Sequence, residues 1–75
     1  HAAALRSFPN PTADVIMVEG PAGTWVLSDL TGRAVLRGRR TSAPTELDLS
    51  GLAAGTYMLT LDSEGRRLSY RVVKQ

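Results

Sequence analysis

Apolar residues recur at every second position in the last ten residues of the chain, where Leu68, Tyr70 and Val72 alternate with Ser69, Arg71 and Val73. That two-residue period buries one face of a β-strand. It returns in short stretches along the whole chain and predicts strands at 5–8, 14–18, 24–29, 33–39, 45–49, 56–62 and 67–74, with β-branched and aromatic residues where a half-buried pleat wants them. Between the stretches stand Pro9-Asn10-Pro11, Gly20-Pro21-Ala22-Gly23, Thr31-Gly32, Gly38, Pro44, Gly51, Gly55 and Gly65. These breaks leave no room for a helix of ordinary length. One helical turn is expected, over Leu52-Ala53-Ala54 and ended by Gly55. The expected fold class is therefore all-β, with seven short antiparallel strands forming a sandwich or barrel.

Parity along the strands proposes an inward set: Ile16, Val18, Trp25, Leu27, Val35, Leu47, Leu49, Tyr57, Leu59, Leu61, Leu68, Tyr70 and Val72. Two facing sheets would supply such a core. Asp29-Leu30-Thr31-Gly32 reads as a hairpin turn, since Asp accepts backbone hydrogen bonds and Gly takes positive φ without strain. Asp62-Ser63-Glu64-Gly65 should reverse the chain between the last two strands. Gly32 and Gly55, each just ahead of a strand, are expected at backbone angles that other residues avoid. In the last strand, Arg71 and Lys74 should both carry exposed charged ends, and their spacing of three predicts a bend or frayed end near Val73.

With 75 residues the chain makes one small domain, which buries only about 60% of the surface its unfolded form exposes. Its 43% hydrophobic and 21% charged content suits a soluble globular domain, and its apolar runs fall far short of the roughly 20 residues that span a bilayer. There is no cysteine, so disulfide and thiolate metal frameworks are excluded. The net charge of +2 comes from eight Arg and one Lys against seven acids interspersed among them, which reads as a solvated sheet surface rather than a nucleic-acid footprint. No signal peptide is expected. His1 and the alanines after it read as a linker remnant or an added junction, so residues 1–7 form a linker with the start of the first strand and 8–75 the domain proper.

Catalytic chemistry is poorly supplied. The lone histidine is His1, so a histidine-based triad has no members within the strands. Asp29-Leu30-Thr31-Gly32 faintly resembles the Asp-Thr-Gly loop of aspartic proteases, with an extra residue between Asp and Thr; a single chain would offer such a dyad only as a homodimer. The carboxylates of Asp14, Glu19, Asp29, Glu46, Asp48, Asp62 and Glu64 are scattered rather than spaced as a calcium loop, although separate loops could converge on calcium. No metal, cofactor or phosphate cradle is expected. Trp25, Tyr57 and Tyr70 could form a sugar-stacking platform, but they share parity with core leucines, which favours burial. Arg37-Gly38-Arg39-Arg40 could bind phosphate or lipopolysaccharide, and more simply keeps an edge strand from pairing with another molecule.

Four motifs in order carry a family resemblance over nearly the whole chain. Phe8-Pro9-Asn10-Pro11-Thr12 with Asp14-Val15-Ile16-Met17-Val18 looks like the opening Pro-Asn-Pro segment and second strand of the type IX secretion system C-terminal sorting domain (type A), found in Bacteroidetes and relatives. Asp29-Leu30-Thr31-Gly32-Arg33-Ala34-Val35 is similar to the central Asp-x-x-Gly-Arg-x-Val hairpin of that family. Asp48-Leu49-Ser50-Gly51-Leu52-Ala53-Ala54-Gly55-Thr56-Tyr57 resembles its Asp-Leu-Ser-x-Leu-x-x-Gly-x-Tyr stretch, and Arg71-Val72-Val73-Lys74-Gln75 its Lys-apolar-apolar-Lys ending. Two departures stand out. Arg71 replaces the usual Lys, which keeps charge but changes donor geometry, and Ser28 replaces a frequent aromatic.

The resemblance implies a seven-stranded immunoglobulin-like antiparallel β-sandwich, not itself an enzyme, at the end of a larger cargo protein. It implies that Arg71, Val72, Val73, Lys74 and Gln75 are read by the secretion machinery. Pro9, Asn10, Pro11, Asp29, Gly32, Arg33, Asp48, Leu52, Gly55 and Tyr57 are then motif residues of the domain. Its partners would be that machinery, a surface sortase that cuts N-terminal to Pro9, and the N-terminal cargo domains. The domain would act as a monomer, without nucleic acid or membrane insertion, in transit through the periplasm to the cell surface or medium. The alternative is a structural or carbohydrate-binding sandwich module of a secreted enzyme.

Overall fold

The computed structural model describes residues 14–75 and the backbone of residues 6–8. His1 and the Pro9-Asn10-Pro11 motif lie outside them. The protein is all-β: β1 (Arg6–Phe8), β2 (Val15–Glu19), β3 (Gly23–Asp29), β4 (Ala34–Arg40), β5 (Thr45–Asp48), β6 (Gly55–Ser63) and β7 (Arg66–Lys74). They pair antiparallel in two sheets, one ordered β1-β2-β5 and the other β4-β3-β6-β7. β6 and β7 are nine residues each, longer than the punctuation suggests, because the reversal between them needs only two residues. Glu64 (φ 51°) and Gly65 (φ 80°) both take left-handed angles, the signature of a tight hairpin whose twist matches its strands.

Both sheets feed one core cluster. Ile16, Val18 and Leu47 come from the three-stranded sheet and Trp25, Leu27, Tyr57, Leu59, Leu61 and Val72 from the four-stranded one, with Leu49 beside them. Leu68 and Tyr70 pack against this cluster half-buried. Trp25 and Tyr57 are only 9% and 7% exposed, so neither can serve as a sugar-stacking platform, and the aromatic glycan-binding alternative falls.

β4 departs from the parity reading. A register shift between Leu27 and Ser28 puts Leu36, not Val35, opposite Leu27, and both residues pack against the core. A bulge adds one residue to its strand and flips the face of everything beyond it. The inward positions of β4 are therefore Leu36, Gly38 and Arg40. Gly38 lies opposite Trp25, and a Cβ added there would come within 2.9 Å of the indole Cζ2. Only glycine leaves the ring its place.

Arg40 corrects the expectation that the whole Arg37-Gly38-Arg39-Arg40 run faces solvent. β4 is an edge strand and Arg37 and Arg39 are exposed, but Arg40 is 5% exposed. Its Nη1 donates to the carbonyls of Gly20 and Pro21, and its Nη2 to those of Val18 (3.2 Å) and Ala43 (2.9 Å). One guanidinium thus closes the β2–β3 and β4–β5 connections by satisfying carbonyls that a loop would otherwise leave unpaired. Burial pulls its pKa below the ordinary arginine value, and the charge of Glu19 opposes that pull.

The helical turn expected at residues 52–55 is absent. The chain turns earlier, where the Leu52 amide donates to the Leu49 carbonyl at 2.9 Å, and it bends again at Ala54 before β6. Nor is there a bend at Val73, since β7 stays in register with β6 through Lys74 opposite Gly55.

Candidate functional site

The motif residues lie far apart in sequence, yet the strand registers gather most of them at one pole. Asp29, the last residue of β3, stands opposite Tyr57 near the start of β6; Gly55, the first, stands opposite Lys74 at the end of β7. Asp48 ends β5 opposite Val15, the first residue of β2. Arg40 and the Glu64–Gly65 hairpin occupy the other pole, because Gly23 pairs with Arg40 and Ser63 with Arg66.

Asp29 organises its own turn. Its Oδ1 accepts from the Thr31 amide (2.9 Å), the Thr31 hydroxyl (2.6 Å) and the Arg33 amide (3.1 Å). The Gly32 amide donates to the Asp29 carbonyl at 3.0 Å, and Gly32 at φ 91° redirects the chain into β4. Arg33 Nε lies 3.6 Å from Asp29 Oδ2, an exposed contact of little energetic weight. The carboxylate is committed to capping this turn, as expected from the residue pattern, and the protease resemblance has no further support from it.

These donors hold the Asp29 carboxyl below its ordinary value, the Thr31 hydroxyl most of all, and together they outweigh the opposing effect of burial. Asp48 is lowered likewise, by the Ser50 amide that reaches its Oδ1 at 2.9 Å and by the Ser50 hydroxyl. A carboxyl depressed in the folded state lends stability above its unfolded value near 3.9, lost as pH falls through the folded value. Asp29→Ala should therefore melt below wild type at neutral pH, with the gap narrowing as pH drops toward 2. Thermal melts across that range test this; a gap of constant size would show that the charge is irrelevant to the turn.

The loop between β5 and β6 is fixed at both ends. The Leu49 amide donates to the Asp14 carbonyl at 2.6 Å, and the Tyr57 hydroxyl donates to the Ala53 carbonyl at 2.5 Å. Such a tyrosine, tied back to the backbone a few residues upstream, closes the corner between two sheets. The apolar parity of Tyr57 gave its burial but not this bond. Leu52 packs half-buried against the core, which seats the loop, while Gly55 opens β6 at φ 152°.

At the same pole β7 ends. Val72 is fully buried, Arg71 is exposed on the opposite face of the strand, Val73 and Lys74 are half-buried, and Gln75 is exposed. Lys74 is thus more enclosed than expected, because the unbroken strand turns it to the face that Val72 shares. Among the described residues, no three histidine, aspartate or glutamate side chains come together as a metal-binding group.

The protein is thus a β-domain that gathers two hydrogen-bonded turns and a strand end at one pole, with the Asp29 and Asp48 carboxylates both engaged in turns. A family model described as the secretion system C-terminal sorting domain matches residues 6–75, and the chain belongs to that family. It carries a type IX secretion sorting signal, its family is not an enzyme family, and the signal belongs to a larger cargo polypeptide that is secreted or displayed at the cell surface. Comparison with curated proteins and with solved structures gives no significant match.

Proposed function

We propose that the secretion machinery reads this pole, with Arg71, Val72, Val73, Lys74 and Gln75 as the contacting strand end. Asp29, Gly32, Arg33, Asp48, Leu52, Gly55 and Tyr57 shape the surface around it, and Pro9, Asn10 and Pro11 are motif residues of the same domain. The observation that carries the reading is the pairing of β7 to β6 through Lys74, which brings the strand end beside the Asp29 turn and the Tyr57 corner. An ordered strand end offers a partner both charge and backbone groups.

The domain acts as a monomer on N-terminal cargo domains, which pass through the periplasm. A surface sortase then cuts in the segment ahead of Pro9, with residues 8–75 as the unit removed. Two features support an immunoglobulin-like sandwich of seven strands: two sheets, ordered β1-β2-β5 and β4-β3-β6-β7, that contribute to one core, and the tyrosine tied at the β5–β6 corner. No cofactor, nucleic acid or membrane insertion enters this reading.

The test is a periplasmic reporter fused to this chain in a type IX-competent cell, with a secretion-deficient strain as control. Arg71→Ala with Lys74→Ala should trap the reporter in the periplasm in a chain that stays folded, since the exposed Arg71 contributes about 0–1 kcal/mol and the half-buried Lys74 stem adds only its own packing. Deleting residues 71–75 should also abolish export, but it removes the β7 partners of residues 55–58 and so tests folding as well. Normal export of a stably folded double variant would refute the charge reading.

A further inference from the structure

The charges that alternate along the sequence separate across the fold. On the outer face of the four-stranded sheet, Arg37 and Arg39 stand along edge strand β4 and Arg67 and Arg71 along edge strand β7, all exposed. Between them, β3 and β6 present Thr24, Val26, Ser28, Thr56 and Thr60, with Met58 exposed beside Arg71. Asp62 is the only acid at these outward positions, and its Oδ1 lies 3.2 Å from Arg67 Nε. Four guanidinium charges against one carboxylate leave this face strongly positive. The outward positions of β5, on the other sheet, are Glu46 and Asp48, both exposed.

With strands about 4.8 Å apart, the two arginine rows stand about 14 Å from one another across a low floor. Protein interfaces centre on buried aromatic or large apolar anchors; this floor holds no aromatic residue, and the hydroxyls of Thr24, Ser28, Thr56 and Thr60 outnumber Val26 and Met58. Hydroxyls hydrogen-bond sugar oxygens, and guanidinium groups take carboxylate or sulfate oxygens in pairs. We propose that this face binds a linear anionic polysaccharide laid along β3 and β6 between the arginine rows. The acidic strand β5 on the opposite sheet orients the domain as it approaches, since a like-charged polymer repels it. This surface is separate from the pole read by the secretion machinery, apart from Arg71, so the test leaves Arg71 unaltered.

Polygalacturonate oligomers titrated into the 75-residue chain, followed by amide NMR shifts, should move residues of β3, β4 and β6. Binding should weaken steeply between about 10 and 150 mM salt, as the screening length contracts from about 30 to about 8 Å. Arg37→Ser with Arg39→Ser should weaken it about tenfold or more. Thr60→Glu, which sets a negative charge on the floor, should abolish it in a chain whose amide dispersion is unchanged. Glu46→Gln, on the other sheet, should leave affinity equal or higher. Equal binding by the Thr60→Glu chain, shifts confined to other strands, or tighter binding of polyglutamate than of polygalacturonate would overturn the proposal, the last in favour of an acidic protein partner.

Discussion

Arg40→Ala is expected to remove about 3–5 kcal/mol of stability, the scale of deleting a buried charged donor from a hydrogen-bond network together with its packing. A domain of this length is stable by roughly 4–11 kcal/mol, so the loss would leave it largely unfolded at 25 °C if it starts near the lower end of that range. The loss has two parts. Carbonyls of Val18, Gly20, Pro21 and Ala43 lose their donor, and each one left buried without water costs about 1–3 kcal/mol. The aliphatic stem also vacates packed space. Arg40→Lys, with three donors on a flexible stem, should recover part of the loss and Arg40→Met almost none, which separates hydrogen bonding from packing. Urea denaturation of the three variants decides this; an Arg40→Ala chain within about 1 kcal/mol of wild type would show that the connections hold themselves.

Leu59→Ala should cost about 2–5 kcal/mol, the range for truncating a fully buried leucine. Leu59 has no exposed surface and sits in the central strand pair, opposite Leu27 on β3 and Tyr70 on β7. The neighbours that would have to collapse into the space come from both sheets, and their backbones are tied into ladders, which places the expectation in the upper half of that range. The same denaturation series measures it. A loss under 1 kcal/mol would mean that the two sheets close over the gap.

Strand alternation was a dependable guide wherever one face is buried and the register unbroken. Ile16, Val18, Leu27, Leu49, Leu59, Leu61 and Val72 all lie in the core that their parity assigned them. On β4 it gave Val35, which packs against the core, but missed Leu36, because the bulge beside Ser28 resets which positions face inward, and a bulge leaves no mark in a run such as Ala34-Val35-Leu36. Arg40 was missed for a different reason. Its residue type argues for solvent, and its partners are loop carbonyls, which every residue possesses and no side-chain pattern reveals.

The Asp29 turn was readable because an Asx-type cap depends on residues two and four positions away. The gathering of residues 29–33, 48–57 and 71–75 at one pole was not, since it follows from pairings between distant strands. The placement of charge was equally illegible. Seven acids among nine bases look mixed along the chain, yet alternate residues of a strand point to opposite faces, so a mixed sequence gives a polarised molecule.

The pole has a bearing on timing. Asp29 meets Tyr57, and Gly55 meets Lys74, only after segments separated by tens of residues have found their register. Contacts of that kind form late, once the entropy of closing the intervening loops has been overcome. A peptide copied from residues 71–75 would carry the same charges without the surroundings that fix their placement. A receptor that engages the pole therefore inspects its client while sorting it: an unfinished tail presents no epitope, and proof of folding and choice of destination become a single binding event.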